Sequence, residues 1–364
     1  MTQIGYVPHS VDLSHPADRR RLAGWARSNE IKLSTGQPLD SDILVLSNAA
    51  NFGYWLKRAK QPVILDLVDA YLGEQGSFLK DFARNIVRTI RGTSSLHWIT
   101  YTSHIIRACE LSQAVVVASS EQRDLILPFN KNVYIISDDH AEVDQALLAN
   151  PNQNLLSGAS SLKQYIFWEG FGYTIKHFEF MSADLDHFLK EHNWGMYVVT
   201  SEEFPRWGGY IGKVRTKDII KKMFPLSWKS IEIVPWSLSN LATHAKQSRF
   251  AIIPIDPDDK FAGLKSENKL LSMWHLDLDC FVSDIPSYRR VMEASGSLSF
   301  LTPRGDWAHQ LQRASVSSAM FQDTHNARNN YLSKVHNSEL IQGQWTELFE
   351  QIQRDFLSND GRCG

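Results

Sequence analysis

Cysteine is scarce in this chain: Cys109, Cys280 and Cys363 are the only three in 364 residues, and no two stand at the short spacing of a zinc or redox site. A disulfide scaffold is thereby excluded, and a reducing compartment fits best. No window of about 18 apolar residues is present to span a bilayer. The opening Met1-Thr-Gln-Ile-Gly lacks the basic stretch and apolar run of a secretory signal. A cytoplasmic location is the expectation. Neither sign of charge dominates: the formal net charge is −2 and the pI about 6.7, so no global field draws the chain to nucleic acid or to acidic lipid. Low-complexity tracts and fixed-period repeats are also missing. What the chain does have is 43% apolar residues and 11 tryptophans, enough for a large core divided into two domains of roughly 150 residues each.

Short β-branched runs alternate with amphipathic stretches. Ile4 to Val7, Ile43 to Ser47, Val63 to Leu67, Ala114 to Ala118 and Val133 to Ile136 read as buried strands. Helical pattern fills the gaps, as in Pro16 to Ser28 and Ser77 to Arg91. Alternation of this kind implies parallel strands with right-handed crossovers, hence an α/β doubly wound sheet. The Asn-, Ser- and Gly-rich stretch Leu148 to Ser161 has linker chemistry and divides the chain into residues 1–153 and 154–342. The pattern then restarts with strands at Gln164 to Trp168, Met196 to Thr200, Ser230 to Val234, Phe250 to Ile255 and Cys280 to Val282. Helical segments such as Tyr173 to His192 and Ser237 to Gln247 separate them. Beyond Pro303 the chain is helical, and its last helix, within residues 343–364, has an apolar stripe that fits a crossing back onto the first domain.

Ligands of open parallel sheets bind outside the carboxyl ends of the strands. At one such end, Phe250-Ala-Ile-Ile-Pro-Ile-Asp256 leads through a polar loop to Leu264-Lys-Ser-Glu-Asn-Lys-Leu-Leu271. A helix starting there, with Ser266 as its cap and Lys265 and Lys269 adjacent, suits a diphosphate. By spacing alone the plainer reading, a capped helix with solvated lysines, stands ahead. At other strand ends, Trp168-Glu169-Gly170 offers close backbone approach, Arg215 a fixed positive fork, Trp236 a face for a nucleobase, and Asp66 and Asp69 carboxylates for acid–base work. Each also has an ordinary role: tight turn, surface arginine, core indole or turn cap. Asp138-Asp139 at a helix start reads as a cap, and His97, His104 and His140 have no evident partner.

The runs Ala251-Ile-Ile-Pro-Ile, Lys265-Ser-Glu-Asn-Lys-Leu-Leu and Cys280-Phe-Val-Ser-Asp-Ile-Pro-Ser-Tyr288 resemble the donor-binding half of glycosyltransferases with the GT-B fold. The close match covers about 40 residues and reverses the reading of the lysines. The resemblance implies two Rossmann-like domains facing across a cleft, with a C-terminal helical segment. The second domain binds a nucleotide-sugar donor through Glu169, Gly170, Arg215, Trp236, Lys265, Ser266, Glu267, Asn268 and Lys269. The first binds a glycan or lipid-linked acceptor, with Asp69 as catalytic base. No cofactor and no metal are expected, since cationic side chains and a helix N-terminus would carry the leaving diphosphate. Helix 77–91, with Lys80, Arg84, Arg88 and Arg91 opposite its Phe and Ile stripe, suits either solvent or peripheral contact with an anionic membrane.

The chain departs from the family at two positions. Many retaining members carry glutamates where this chain has Leu264 and Ser272. Glu267 as a substitute, an unusual donor, or lost catalysis all remain open. Hence two other readings stand beside the transferase: a non-catalytic glycan-binding or assembly subunit, and a sugar-nucleotide epimerase.

Overall fold

The computed structural model describes residues 2–73, 78–95, 98–149, 163–205, 212–256, 258–259, 261–316 and 319–360. Ser77, His97, Cys363 and most of the Leu148 to Ser161 stretch lie outside them. Contacts group the chain into two units. One comprises Met1–Asp139, Leu264–Ser266 and His336–Gly364, the other His140–Gly263 and Glu267–Val335. The division at Asp139 falls ahead of the Asn-rich stretch because the Ala141–Ala149 helix seats Val143 in the core of the second unit.

In the first unit β1 (Ile4–Val7), β2 (Ile43–Ser47), β3 (Val63–Leu67), β4 (Ala114–Val117) and β5 (Val133–Ile135) pair in that order, all parallel. These near-continuous apolar runs are what a sheet covered on both faces requires. Gly5 also bridges Ser34 in parallel, on the side of β1 away from β2. The chain therefore leaves β1 in one direction and returns to β2 on the other side, so the topological switch lies at β1 and β2. The Ser338–Asp360 helix begins five residues earlier than the residue 343 read from sequence. It packs Trp345, Leu348, Phe349 and Ile352 with Ile4, Tyr6 and Trp25 of this unit.

The stretch Pro16 to Ser28 is not one helix but two, Pro16–Arg19 and Leu22–Ser28. The break turns Arg21 inward, where it is 1% exposed. Its guanidinium donates to Asp66 through Nε (2.9 Å) and Nη2 (2.6 Å), to the Ile136 carbonyl (2.7 Å) and to Asp138 (3.2 Å). Asp138 is thus an ion-pair partner rather than a helix cap. Asp139 accepts from Ser338 Oγ at 2.7 Å.

The Phe78–Ile90 helix is oriented opposite to expectation. Its inward stripe is polar. Asp81 accepts from the Thr102 amide, buried Asn85 donates to the carbonyls of Ser95, Trp98 and Ile99, and Arg88 donates to the Asn48 carbonyl at 2.7 Å. Of its apolar residues Phe78 is 64%, Leu79 75% and Ile90 75% exposed, whereas Phe82 and Ile86 are half-buried. The loop carbonyls beneath the helix decide this, because buried carbonyls need donors that Phe and Ile lack.

In the second unit β6 (Tyr165–Glu169), β7 (Gly195–Thr200), β10 (Ile231–Pro235), β11 (Phe250–Ile253), β12 (Cys280–Ser283) and β13 (Leu301–Thr302) form a parallel sheet in the order β10-β7-β6-β11-β12-β13. The switch of direction lies between β6 and β11. A separate antiparallel hairpin, β8 (Glu203–Pro205) with β9 (Lys213–Arg215), and the two-residue β13 were not foreseen. The Tyr173 to His192 stretch divides into a 3-10 segment, Gly172–Met181, and an α-helix, Ser182–Glu191. Trp307, Leu311 and Phe321 from the later helices join the core around Phe250 and Phe281. Among the described residues no helix is long and apolar enough to cross a membrane.

Asp66→Ala leaves the Arg21 charge buried without its main partner. Urea denaturation should show a loss of about 3–5 kcal/mol.

Candidate functional site

Two topological switch points, one per unit, are where ligands of parallel sheets bind. In the second unit that point lies outside the carboxyl ends of β6 and β11. Glu169 closes β6, and Gly170 follows with its amide donating to the Val199 carbonyl at 3.2 Å. A Cβ on Gly170 would stand 2.7 Å from Lys269 Nζ, 2.9 Å from Thr174 Oγ1 and 2.9 Å from the Trp168 ring. Lys269 Nζ in turn lies 5.2 Å from the Trp168 ring centroid. The Gly170 turn and the lysine of the second motif are therefore neighbours, and glycine is what lets the ammonium lie against the backbone.

The Asn268–His275 helix starts here, but Ser266 is not its cap. Glu267 holds the cap position and makes no side-chain cap bond. It is 5% exposed, and its carboxylate instead receives Arg290 Nη2 at 2.9 Å. That engagement leaves Glu267 a poor stand-in for a sugar-binding glutamate. Leu264 packs against Gly73, where a Cβ would lie 2.3 Å from its Cδ1. Ser272 is 1% exposed, and its Oγ, like Asn268 Oδ1 and Thr200 Oγ1, has no hydrogen-bond partner among the described residues. Thr200 ends the apolar strand β7; a polar residue closing such a run was the signal overlooked. The predicted lysines are divided: Lys265 and Ser266 group with the first unit, Lys269 with the second.

Two predicted donor residues stand apart from this cluster. Arg215 is exposed, pairs with Asp218 at 3.1 Å, and lines a recess with Glu202, Glu203 and Trp228. Trp236 follows β10 and is 38% exposed, ahead of a helix capped by Ser237 Oγ accepting from the Asn240 amide at 3.0 Å. Four Asp-x-Asp triplets occur, and each has local work; in the first, Asp42 accepts from the Gln3 amide at 2.8 Å. Asp186 accepts from Ser227, Asp256 and Asp258 face Arg304, and Asp277 and Asp279 face buried Arg328.

In the first unit the carboxyl ends of β1 to β3 present His9, Asn48, Asp69 and Tyr71. Burial raises the Asp69 carboxyl above the ordinary aspartate range, opposed by Lys265 and reinforced by Asp138. Tyr71 is raised as well, by burial and then by Asp69. Tyr101 donates its hydroxyl to Asn48 Oδ1 at 2.8 Å, and the Arg88 guanidinium lies 4.6 Å from the Tyr101 ring centroid. Burial lowers His9 to about 4, so it is neutral at ordinary pH. His104 is structural, stacked on Phe52 at 5.5 Å. Sequence reasoning missed His9, Asn48, Tyr71, Tyr101 and the inward turn of Arg88. For His9 and Asn48 the signal was their place just after strands.

No family model and no curated protein matches the chain. Solved structures do, at low identity. A glycosyltransferase from Rickettsia africae aligns with TM-score 0.57 and 12% identity, over 95% of this chain and 83% of that one. A UDP-forming alpha,alpha-trehalose-phosphate synthase from Burkholderia xenovorans gives 0.57 and 11%, over 91% and 79%. S. aureus TarM in complex with UDP gives 0.54 and 12%, over 84% of this chain and 55% of that one, so the chain spans about half the length of TarM.

Gly170→Val would force Lys269 and Thr174 aside. Nucleotide affinity, read by calorimetry, should fall about tenfold or more for a displaced charge contact. These likenesses are to glycosyltransferases, and the fold of the chain is GT-B.

Proposed function

We propose that the chain transfers a sugar from a nucleotide-sugar donor to a hydroxyl of a glycan or lipid-linked glycan. The observation that carries this reading is the meeting of Gly170 and Lys269 at the switch point of the second sheet, beside the start of the Asn268–His275 helix. Backbone N–H groups of a helix N-terminus with an adjacent ammonium favour a diphosphate. The leaving group is then stabilised without a metal, and no cofactor takes part beyond the donor as substrate. Trp236 offers its exposed face to the base. Asp69 removes the proton of the acceptor hydroxyl as that oxygen bonds to the anomeric carbon and the bond to the diphosphate breaks.

The exposed apolar residues of the Phe78–Ile90 helix, rimmed by exposed Lys80 and Arg91, support peripheral membrane contact. In this geometry the apolar side enters the lipid boundary, and the cations meet the headgroups. The runner-up reading, a glycan-binding or assembly subunit without turnover, is favoured by one observation. Leu264 and Ser272 stand where many retaining relatives carry carboxylates, and both are built into packing.

Three measurements test these readings. A thermal-shift panel of UDP, GDP, CMP and TDP, with UDP the nucleotide bound in the TarM structure, should show stabilisation by at least one. Lys269→Ala should weaken that nucleotide about tenfold while leaving Tm nearly unchanged; no stabilisation by any nucleotide sinks the transferase reading, and nucleotide binding without turnover of the matching sugars selects the subunit. Second, Asp69 works only ionised, so transfer should rise with pH through its raised pKa, with the acid limb above the ordinary value of about 3.9. Asp69→Asn should abolish transfer and keep nucleotide binding. Third, the chain should co-sediment with phosphatidylglycerol vesicles more than with phosphatidylcholine ones, and Leu79→Gln with Ile90→Gln should cut that binding about tenfold or more.

A further inference from the structure

The first sheet has its own switch point at β1 and β2, and the residues outside those strand ends are His9 and Asn48. Asn48 organises what surrounds it. Its carbonyl accepts Arg88 Nη2 at 2.7 Å, its side-chain oxygen accepts the Tyr101 hydroxyl at 2.8 Å, and the Arg88 guanidinium rests on the Tyr101 ring. Arg84 approaches the same ring from 5.8 Å. Two polar atoms in this group are buried with no hydrogen-bond partner among the described residues: Arg88 Nε and His9 Nε2. A buried guanidinium N–H left unpaired is costly, and an anion is the acceptor that satisfies it best.

The charges around Arg88 sharpen the point. His9, His104, Tyr71 and Tyr101 feel its charge. By contrast Arg21, a fully buried arginine of the same unit, has Asp66 and Asp138 against it. Among the described residues Arg88 makes no salt bridge at all within 4 Å. It is anchored by a neutral carbonyl and a ring, which fix its position while leaving its charge uncompensated.

We propose that Arg88, held by Asn48 and Tyr101, binds an anionic group on the acceptor, a phosphate or a carboxylate. The proposal rests on the reading that the first unit takes the acceptor, and it narrows that acceptor to a charged one. Asp69 on β3's carboxyl side is linked to the cluster through Tyr71 and Tyr101, both of which feel its charge. Anchoring the anion at Arg88 would orient a hydroxyl of the same molecule toward the base. Orientation of this kind is how binding energy away from the reacting atoms raises rate.

Glucose 6-phosphate, glucuronate and glucose are the probes, offered to the full chain. Calorimetry should show at least one charged sugar binding about tenfold tighter than glucose, the value of one charge-assisted contact. The preference between phosphate and carboxylate identifies the source of the anion. Arg88→Gln should erase the advantage, and Arg88→Lys should keep part of it. Because Arg88→Gln also removes a bond to Asn48, the unaltered chain carries a second readout: phenylglyoxal labelling of Arg88, followed by peptide mass spectrometry, should be slowed by the charged sugar and not by glucose. Equal affinity for glucose, an advantage that survives in folded Arg88→Gln, or labelling indifferent to the charged sugar would each overturn the proposal. Nucleotide binding is measured separately, so failure here leaves the donor reading standing, and failure there leaves this one.

Discussion

The first unit depends on one buried cation. Arg21 sits at the break between two short helices and ties β3, through Asp66, to the end of β5, through Ile136 and Asp138. Two strands are thereby locked by a single guanidinium that donates to carboxylates and a carbonyl and lies over the Trp345 ring at 5.8 Å. The consequence reaches the site. Asp69 lies three residues beyond Asp66, and the same Asp138 that binds Arg21 adds to the rise of the Asp69 pKa. Burial is the main cause of that rise, and the ion-pair network adds to it.

The contrast with Arg88 is informative. Both arginines are turned inward from helices, and both donate to backbone carbonyls. Arg21 also finds two carboxylates, whereas Arg88 finds a ring and an amide residue. Arg21 is neutralised by two carboxylates, whereas half-buried Arg88 has no salt bridge among the described residues. The same inward rotation that brings Arg88 to Asn48 pushes Phe78, Leu79 and Ile90 into the open. Both the proposed acceptor contact and the proposed lipid contact rest on one orientation of one helix.

The second unit uses different means. Its switch point is shaped by a glycine that lets Lys269 approach the backbone and by Trp168 beneath the ammonium. Glu267 and Arg290 pair with each other at the start of the Asn268–His275 helix.

Much of this architecture was legible in the residues. β1, β2 and β3 have the bounds that their apolar runs imply, and the restart after Lys163 gives a second parallel sheet, because strand burial on two faces leaves a period and a composition that a linear reading detects. The kinship of Gly170 and Lys269 was visible as two separate motifs, though not as neighbours 99 positions apart. What the sequence could not decide was direction. The stripe Asp81, Asn85, Arg88 and the stripe Phe78, Phe82, Ile86, Ile90 are both regular, and the carbonyls of residues 95, 98 and 99, brought under the helix by the fold, favour the first. Nor could it tell that Asp66 and Asp138 share one arginine, or that Ser266 yields the cap position to Glu267. Periodicity is a local property carried by each segment, whereas the pairing of a buried charge is fixed by whichever distant group the finished fold sets against it.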